Sequence, residues 1–295
     1  MSIMPKNPAA RLGLRLLGLL IIGYTLWCVA VYSIQDRLIF PRDMISPPSP
    51  EQQQLGPGES LIEFTSPDGQ PIRAILWLPI SGSRTSPTKP AERLPVAFLI
   101  HGNGEQIEHF KSAPQIEPYK NRRFAIVIPE FRGYGPVPGT PSQDGITRDL
   151  VALHDHLNAD PRLDLSRTVY HGRSLGAGFA SELAALRPPR GVVLESTFTS
   201  IASFTARYWV PQFICSHPLR NDRFIESFAG PSLIIHGTND EVIPVSHARE
   251  LAGLAKDATY FEDPSGAHLN IPTNFEQYDA TIGAFLDRSG VTPKK

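Results

Sequence analysis

The chain has 295 residues, 28 Lys and Arg against 29 Asp and Glu, a formal net charge of −1, and 41% apolar residues. Balanced, scattered charge gives no electrostatic footprint for nucleic acid, and two distant cysteines, Cys28 and Cys215, support neither a disulfide framework nor a Cys-rich metal site. The length and apolar content suit one large α/β domain with a terminal appendage.

Residues 1–11 are small and basic, and Leu12 to Ile34 is apolar apart from Arg15 and a few small or aromatic polar residues. That run is long enough to cross a bilayer as a helix, with Arg15 snorkelling toward the headgroups. Lys6, Arg11 and Arg15 on its N-terminal side, set against Arg37 and Arg42 just beyond its other end, put the N-terminus in the cytoplasm and the bulk of the chain outside. Two other readings compete: a signal peptide cleaved near Cys28-Val29-Ala30, for which the apolar run is long, and a buried helix of a soluble protein. A lipoprotein reading at Cys28 is opposed by bulky Trp27 immediately before it. We take residues 1–34 as tail and anchor, and 35–58, rich in Pro, Gln and Ser, as a connector partly packed on the domain. On this reading a chain starting near Leu61 is soluble.

Residues 59–288 alternate β and α signals. Leu61–Ser66 and Ile72–Leu78 flank the turn Pro67-Asp68-Gly69, which predicts an antiparallel hairpin. Ser81–Arg93 reads as a surface loop. Leu94–Ile100, Phe124–Pro129, Gly191–Leu194, Ser232–His236 and Thr259–Phe261 are short apolar runs of the kind buried on both faces. Helical patterns are predicted over Glu105–Tyr119, Gly145–Leu157 and Phe275–Leu286, and residues 289–295 are expected to fray. Some four to six strands alternating with helices imply a mostly parallel sheet flanked by helices, whose function sits at the C-terminal ends of the strands. Residues 198–228 hold Tyr208, Trp209, Phe213 and Phe224 among prolines, with no clear long helix. They read as a short lid whose aromatics line an acyl pocket, or as the plain packing of a surface excursion.

The functional signals fall at those strand ends. Gly172-Arg173-Ser174-Leu175-Gly176 lies between a β-favouring run and the Ala-rich helical stretch Leu175–Leu186, the context of a nucleophile elbow. The pattern alone proves little, because a serine hydroxyl becomes a nucleophile only beside a base and facing oxyanion donors. Asp240 follows a later strand and His268 the last, giving the order Ser174, Asp240, His268. In this arrangement His268 takes the serine proton and Asp240 fixes its tautomer. Backbone N–H groups of Leu175 and of Asn103, in the Gly-rich turn His101-Gly102-Asn103-Gly104, would bind the oxyanion. No Gly-Lys-Ser/Thr follows that turn, which argues against a nucleotide P-loop. Glu241, Asp263 and Glu195 are weaker candidates for the acid, and Glu195 reads better as a structural hydrogen-bonder. His101 and His236 are expected to bond backbone, and His171 to be buried under the elbow. No metal or cofactor is expected.

Taken together, His101-Gly102-Asn103, Phe131-Arg132-Gly133-Tyr134-Gly135, Gly172-Arg173-Ser174-Leu175-Gly176, Gly237-Thr238-Asn239-Asp240 and Gly266-Ala267-His268 resemble the α/β-hydrolase superfamily over roughly residues 60–288. Within it the chain is similar to membrane-anchored, bud-emergence-type serine hydrolases, through the N-terminal span, Asp36-Arg37-Leu38-Ile39-Phe40-Pro41 and Leu194-Glu195-Ser196-Thr197-Phe198-Thr199-Ser200. The resemblance implies hydrolysis of a carboxylic ester or thioester, with an acyl or lipid-like small molecule as substrate. Arg173 departs from expectation; a lid residue or an acidic partner would account for it. A peptidase or amidase on the same residues, and a non-catalytic membrane-tethered binding protein, remain the alternatives. Oligomeric state is left open.

Overall fold

The computed structural model describes residues 7–80 and 92–292. The surface loop expected over Ser81–Arg93 falls outside the described residues except for its last two. The apolar runs become strands β1 (Glu59–Thr65), β2 (Pro71–Trp77), β3 (Leu94–Ile100), β4 (Ala125–Pro129), β5 (Leu163–Arg173), β6 (Gly191–Glu195), β7 (Ser232–Gly237) and β8 (Ala258–Asp263). One sheet holds them in the order β1-β2-β4-β3-β5-β6-β7-β8. β3 to β8 pair parallel, while β2 runs antiparallel to both β1 and β4. Helices are α1 (Pro8–Ile39), α2 (Pro50–Gln53), α3 (Ile107–Phe110), α4 (Glu117–Asn121), α5 (Gln143–Leu157), α6 (Leu175–Leu186), α7 (Asn221–Ser227), α8 (Ser246–Leu254) and α9 (Phe275–Arg288).

Strands β3 and β4 are apolar at every position because both faces of the sheet are covered there. Successive residues of β3 alternate accordingly: Val96, Phe98 and Ile100 join the core shared with α5 and α6, whereas Ala97 and Leu99 join that shared with α9. α5 starts where the Ser142 hydroxyl accepts the Gly145 N–H at 3.1 Å, and buries the predicted stripe Ile146, Leu150, Leu153 and Leu157.

The segment expected as one helix over Glu105–Tyr119 is broken into α3, a 3₁₀ turn at Pro114–Ile116, and α4. Pro114 and Pro118 have no N–H to continue a ladder. At the other end, Ser289 and Val291 are buried, so the start of the stretch expected to fray is packed on the core. Residues 198–228 hold two 3₁₀ segments, Ile201–Tyr208 and Gln212–Ile214, followed by α7.

α1 is long and apolar enough to cross a membrane, a test that a signal sequence also passes. It continues past Ile34 to Ile39. Its side chains up to Leu26 are almost all exposed, but from Val31 onward every fourth residue is buried, namely Val31, Gln35 and Ile39. This face docks on the domain. Trp27 Nε1 donates to the Tyr208 carbonyl at 2.7 Å, Gln35 Oε1 accepts the Ser216 N–H at 2.8 Å, and Asp36 pairs with His217 Nε2 at 3.2 Å. Phe40, 2% exposed, packs on the rings of Phe179 and His217. The end of the helix is part of the domain's core, with Ile39 and Phe40 in its main cluster.

Candidate active site

β5 ends directly in Ser174, which adopts φ +53° and ψ −119° before α6 begins. A side chain at positive φ is strained, and the surrounding backbone holds it there. Ser174 N–H donates to the Glu195 carbonyl at 2.8 Å and its own carbonyl accepts from the Thr197 hydroxyl at 2.9 Å. The flanking glycines permit the close approach. A Cβ on Gly172 would stand 2.3 Å from the Gly176 carbonyl oxygen, and one on Gly176 would stand 2.2 Å from that of Ile100.

Three sequence-predicted side chains meet here. Ser174 Oγ lies 3.1 Å from His268 Nε2, and His268 Nδ1 lies 2.8 Å from Asp240 Oδ2. All three are under 10% exposed. Asp240 Oδ1 accepts the N–H groups of Val242 and Ile243 at 2.9 and 2.7 Å. Burial pushes the Asp240 carboxyl up, but hydrogen bonds from His236, His268 and Ile243 outweigh it and hold the group well below the usual carboxylate range. An anionic carboxylate facing Nδ1 favours the tautomer whose Nε2 is free to accept a proton from Ser174.

Asn103 and Leu175 line the same cavity as Ser174 and His268. Leu175 opens α6, so its backbone N–H has no partner within its own helix. Arg173 pairs with Glu105 at 2.7 Å, and the same carboxylate accepts the Gly102 N–H at 3.0 Å. The cation therefore ties the elbow to the Gly-rich turn through an acidic partner. The weaker acid candidates lie elsewhere: Asp263 accepts from Thr273 and Ser265, Glu241 is exposed, and Glu195 is enclosed by Gln115, Tyr278 and His171. His171 is buried as expected, and its Nδ1 lies 3.1 Å from the Tyr119 hydroxyl.

His236 does more than sequence reasoning assigned. Its Nε2 is 2.9 Å from the Ile243 carbonyl, as a backbone-bonding ring should be, and also 3.1 Å from Asp240 Oδ2. Facing two acceptors, Nε2 must carry the proton, so the ring is a second donor to the acid. The signal was the spacing of His236 and Asp240 across one tight turn after a strand. His236→Phe is expected to lower kcat about tenfold with KM little changed, from the loss of one charge-assisted hydrogen bond of about 1.5 kcal/mol; steady-state kinetics would check the split.

His101 also exceeds its expected role. Nδ1 bonds the Gly102 carbonyl at 2.8 Å and Nε2 the Glu130 carboxylate at 3.0 Å, with the ring fully buried. Burial pushes its pKa down, yet Glu130 outweighs that and raises it above the ordinary value. The folded state thus favours the protonated ring, a contribution complete below about pH 6.5 and lost as pH climbs through the raised folded value. His101→Gln should flatten the fall in Tm on the alkaline side of about pH 6.5, measured by calorimetry across a pH series.

The cavity above Ser174 has a volume of about 460 Å³, within the range of small-molecule sites. Phe198, Ile201, Phe204 and Tyr208 supply one wall, so the segment over 198–228 does line the pocket. Trp209 and Phe213 do not line it, and they are 82% and 87% exposed. Sequence reasoning missed the part of the lining that comes from Val31, Gln35, Leu38 and Ile39 of α1. Among the described residues no group of three or more His, Cys, Asp or Glu side chains converges in a way that could hold a metal ion.

Residues 97–281 match the alpha/beta hydrolase family. The chain is 30% identical over 229 residues to the alpha/beta hydrolase domain-containing protein WAV2 of Arabidopsis thaliana, covering 70% of this chain and 74% of that one. An uncharacterized protein of Mycobacterium tuberculosis is 35% identical over 152 residues, which is 50% of this chain; the match spans only 54% of that relative's length. Among solved structures, an esterase of Pyrococcus furiosus superposes with a TM-score of 0.62 at 17% identity, covering 83% of this chain and 97% of the esterase. At that identity the likeness speaks to the fold.

Proposed function

Since this chain belongs to the alpha/beta hydrolase family, we propose that it is a serine hydrolase that cleaves carboxylic esters or thioesters of apolar acyl groups through an acyl-enzyme. The observation that carries the reading is the continuous Ser174–His268–Asp240 hydrogen-bond chain at the floor of an apolar cavity. Ser174 Oγ attacks the carbonyl carbon while its proton passes to His268 Nε2. The resulting oxyanion is held by the N–H groups of Leu175 and Asn103, and the imidazolium by Asp240. Collapse expels the alcohol or thiol, which takes the proton from His268. Water then attacks the acyl-enzyme with His268 as base, and the acid leaves. Esterase relatives of the same fold support an ester as substrate.

In this proposal α1 anchors the protein in a membrane, its basic N-terminal end in the cytoplasm and the domain of residues 59–288 on the other side. Parallel rates on p-nitrophenyl acyl esters, acyl thioesters and aminoacyl anilides test the substrate class. Ester or thioester turnover exceeding anilide turnover at least a hundredfold is the expected result. Preferred cleavage of the anilide would assign a peptidase instead.

A further inference from the structure

We propose that α1 forms a wall of the acyl site and sets its mouth at the hydrocarbon boundary of the bilayer, so that the substrate is a membrane-resident acyl ester whose chain slides in beside the helix. The inference rests on the reading of Ser174 as nucleophile and deepens it.

The first observation is the make-up of the cavity. Four α1 residues line it together with Ser174 and His268, and the Ile39 carbonyl accepts the Asn103 side-chain N–H at 3.3 Å. The end of the helix therefore touches both the pocket and the turn that carries a proposed oxyanion donor. Leu38, Tyr208, Val242 and Leu269 line the cavity yet are 46%, 38%, 48% and 77% exposed, which marks its mouth. One side of that mouth is the helix itself.

The second observation is a length. A hydrocarbon core of about 30 Å takes some twenty helical residues at 1.5 Å each. With the Arg15 charge at one boundary, the other falls near Gln35. The helix touches the domain well before that, at Trp27, whose indole bonds the Tyr208 carbonyl. From Arg15 to Trp27 the helix rises only about 18 Å. The 3₁₀ segments that flank the helix between Trp27 and Gln35 must then sit in the outer acyl and headgroup layer, with Val31 just inside the boundary and Leu38 just outside. Helix tilt only deepens this immersion.

The surface at that level agrees. Trp209 and Phe213, the exposed aromatics next to the lining residues Tyr208 and Ile214, stand free of the core. Trp209 is held at φ +58°, a conformation uncommon for a bulky side chain. Exposed aromatics at a membrane-facing edge are what the headgroup region accommodates. An ester whose chain lies in the bilayer would bring its carbonyl to the headgroup level, where the mouth opens toward Ser174.

The test lengthens the helix without touching the pocket. Seven leucines inserted between Leu20 and Ile21 of the full chain would lift the domain about 10 Å from the bilayer. The full-length protein and this variant are reconstituted into phosphatidylcholine vesicles and assayed on a water-soluble butyrate ester and on a palmitoyl ester embedded in the same vesicles. We expect the insertion to cut palmitoyl turnover at least tenfold while butyrate turnover stays within twofold. Unchanged palmitoyl turnover would overturn the inference, as would equal loss on both esters. Absence of butyrate turnover in the unmodified protein would instead strike at the nucleophile reading. A second variant, Val31→Trp, probes the wall: the preferred acyl length on soluble esters should shorten, and an unaltered chain-length profile would contradict a helical wall.

Discussion

Ser174→Ala should lower kcat on any ester that the protein cleaves by at least ~10⁴-fold, with KM little altered. The size of the effect follows from how the site divides its labour. The apolar walls and the backbone amides of Asn103 and Leu175 survive the substitution, so substrate still binds. What is lost is the hydroxyl that stands 3.1 Å from His268 Nε2, and with it the proposed covalent intermediate. His268→Ala should cost about as much, and the double variant scarcely more, because the groups act as one unit. Asp240→Asn should also be severe: an amide can present its N–H to Nδ1 and turn the ring to the tautomer that cannot accept the serine proton. Near-additive losses in this series would mean that the three residues do not share a step.

The second large effect concerns stability. Phe40→Ala should lower stability by about 3 kcal/mol, which for a domain of this size is a fall in Tm of about 6 °C. Phe40 lies beyond the end of α1, and its ring closes against Phe179 of α6 and His217. Deleting it leaves a void beneath the junction of α1 and the domain. A chain starting near Leu61 would lose Phe40, Ile39 and Val31 together, along with the bonds of Gln35 and Asp36 to the segment at Ser216 and His217. We therefore expect it to unfold or precipitate, in contrast to the soluble domain that a plain tether implies. Thermal melts of detergent-solubilised full-length protein, with and without the Phe40 substitution, measure the effect directly; identical melts would contradict the docking of α1.

The parts of the fold that were legible in the sequence are those where burial on both faces forces a continuous apolar run, as in β3, β4 and β6, or where helical spacing is uninterrupted, as in α5 and α6. The strand-end positions of Ser174, Asp240 and His268 were legible for the same reason, since each follows such a run. Contacts made across the chain were not. Nothing local marks Val31 as facing a protein rather than lipid, because a helix suited to a bilayer is apolar on every side, and nothing in the connector reading placed Gln35 and Ile39 at a pocket wall. Nor does local pattern tell that Trp209 and Phe213 are exposed while Phe198 and Phe204 line the cavity: irregular 3₁₀ segments impose no periodicity to read. His236 was hidden by its adequate backbone partner, and Pro114 broke a helix whose apolar spacing otherwise looked sound.

The central claim is that Ser174 is the acylated atom's carrier, and mass spectrometry of the full-length protein after reaction with a fluorophosphonate tests it most directly. The account predicts one adduct per chain, located by peptide mapping at Ser174 and lost in Ser174→Ala. An adduct at another residue, or labelling of Ser174→Ala to the same extent, would contradict it.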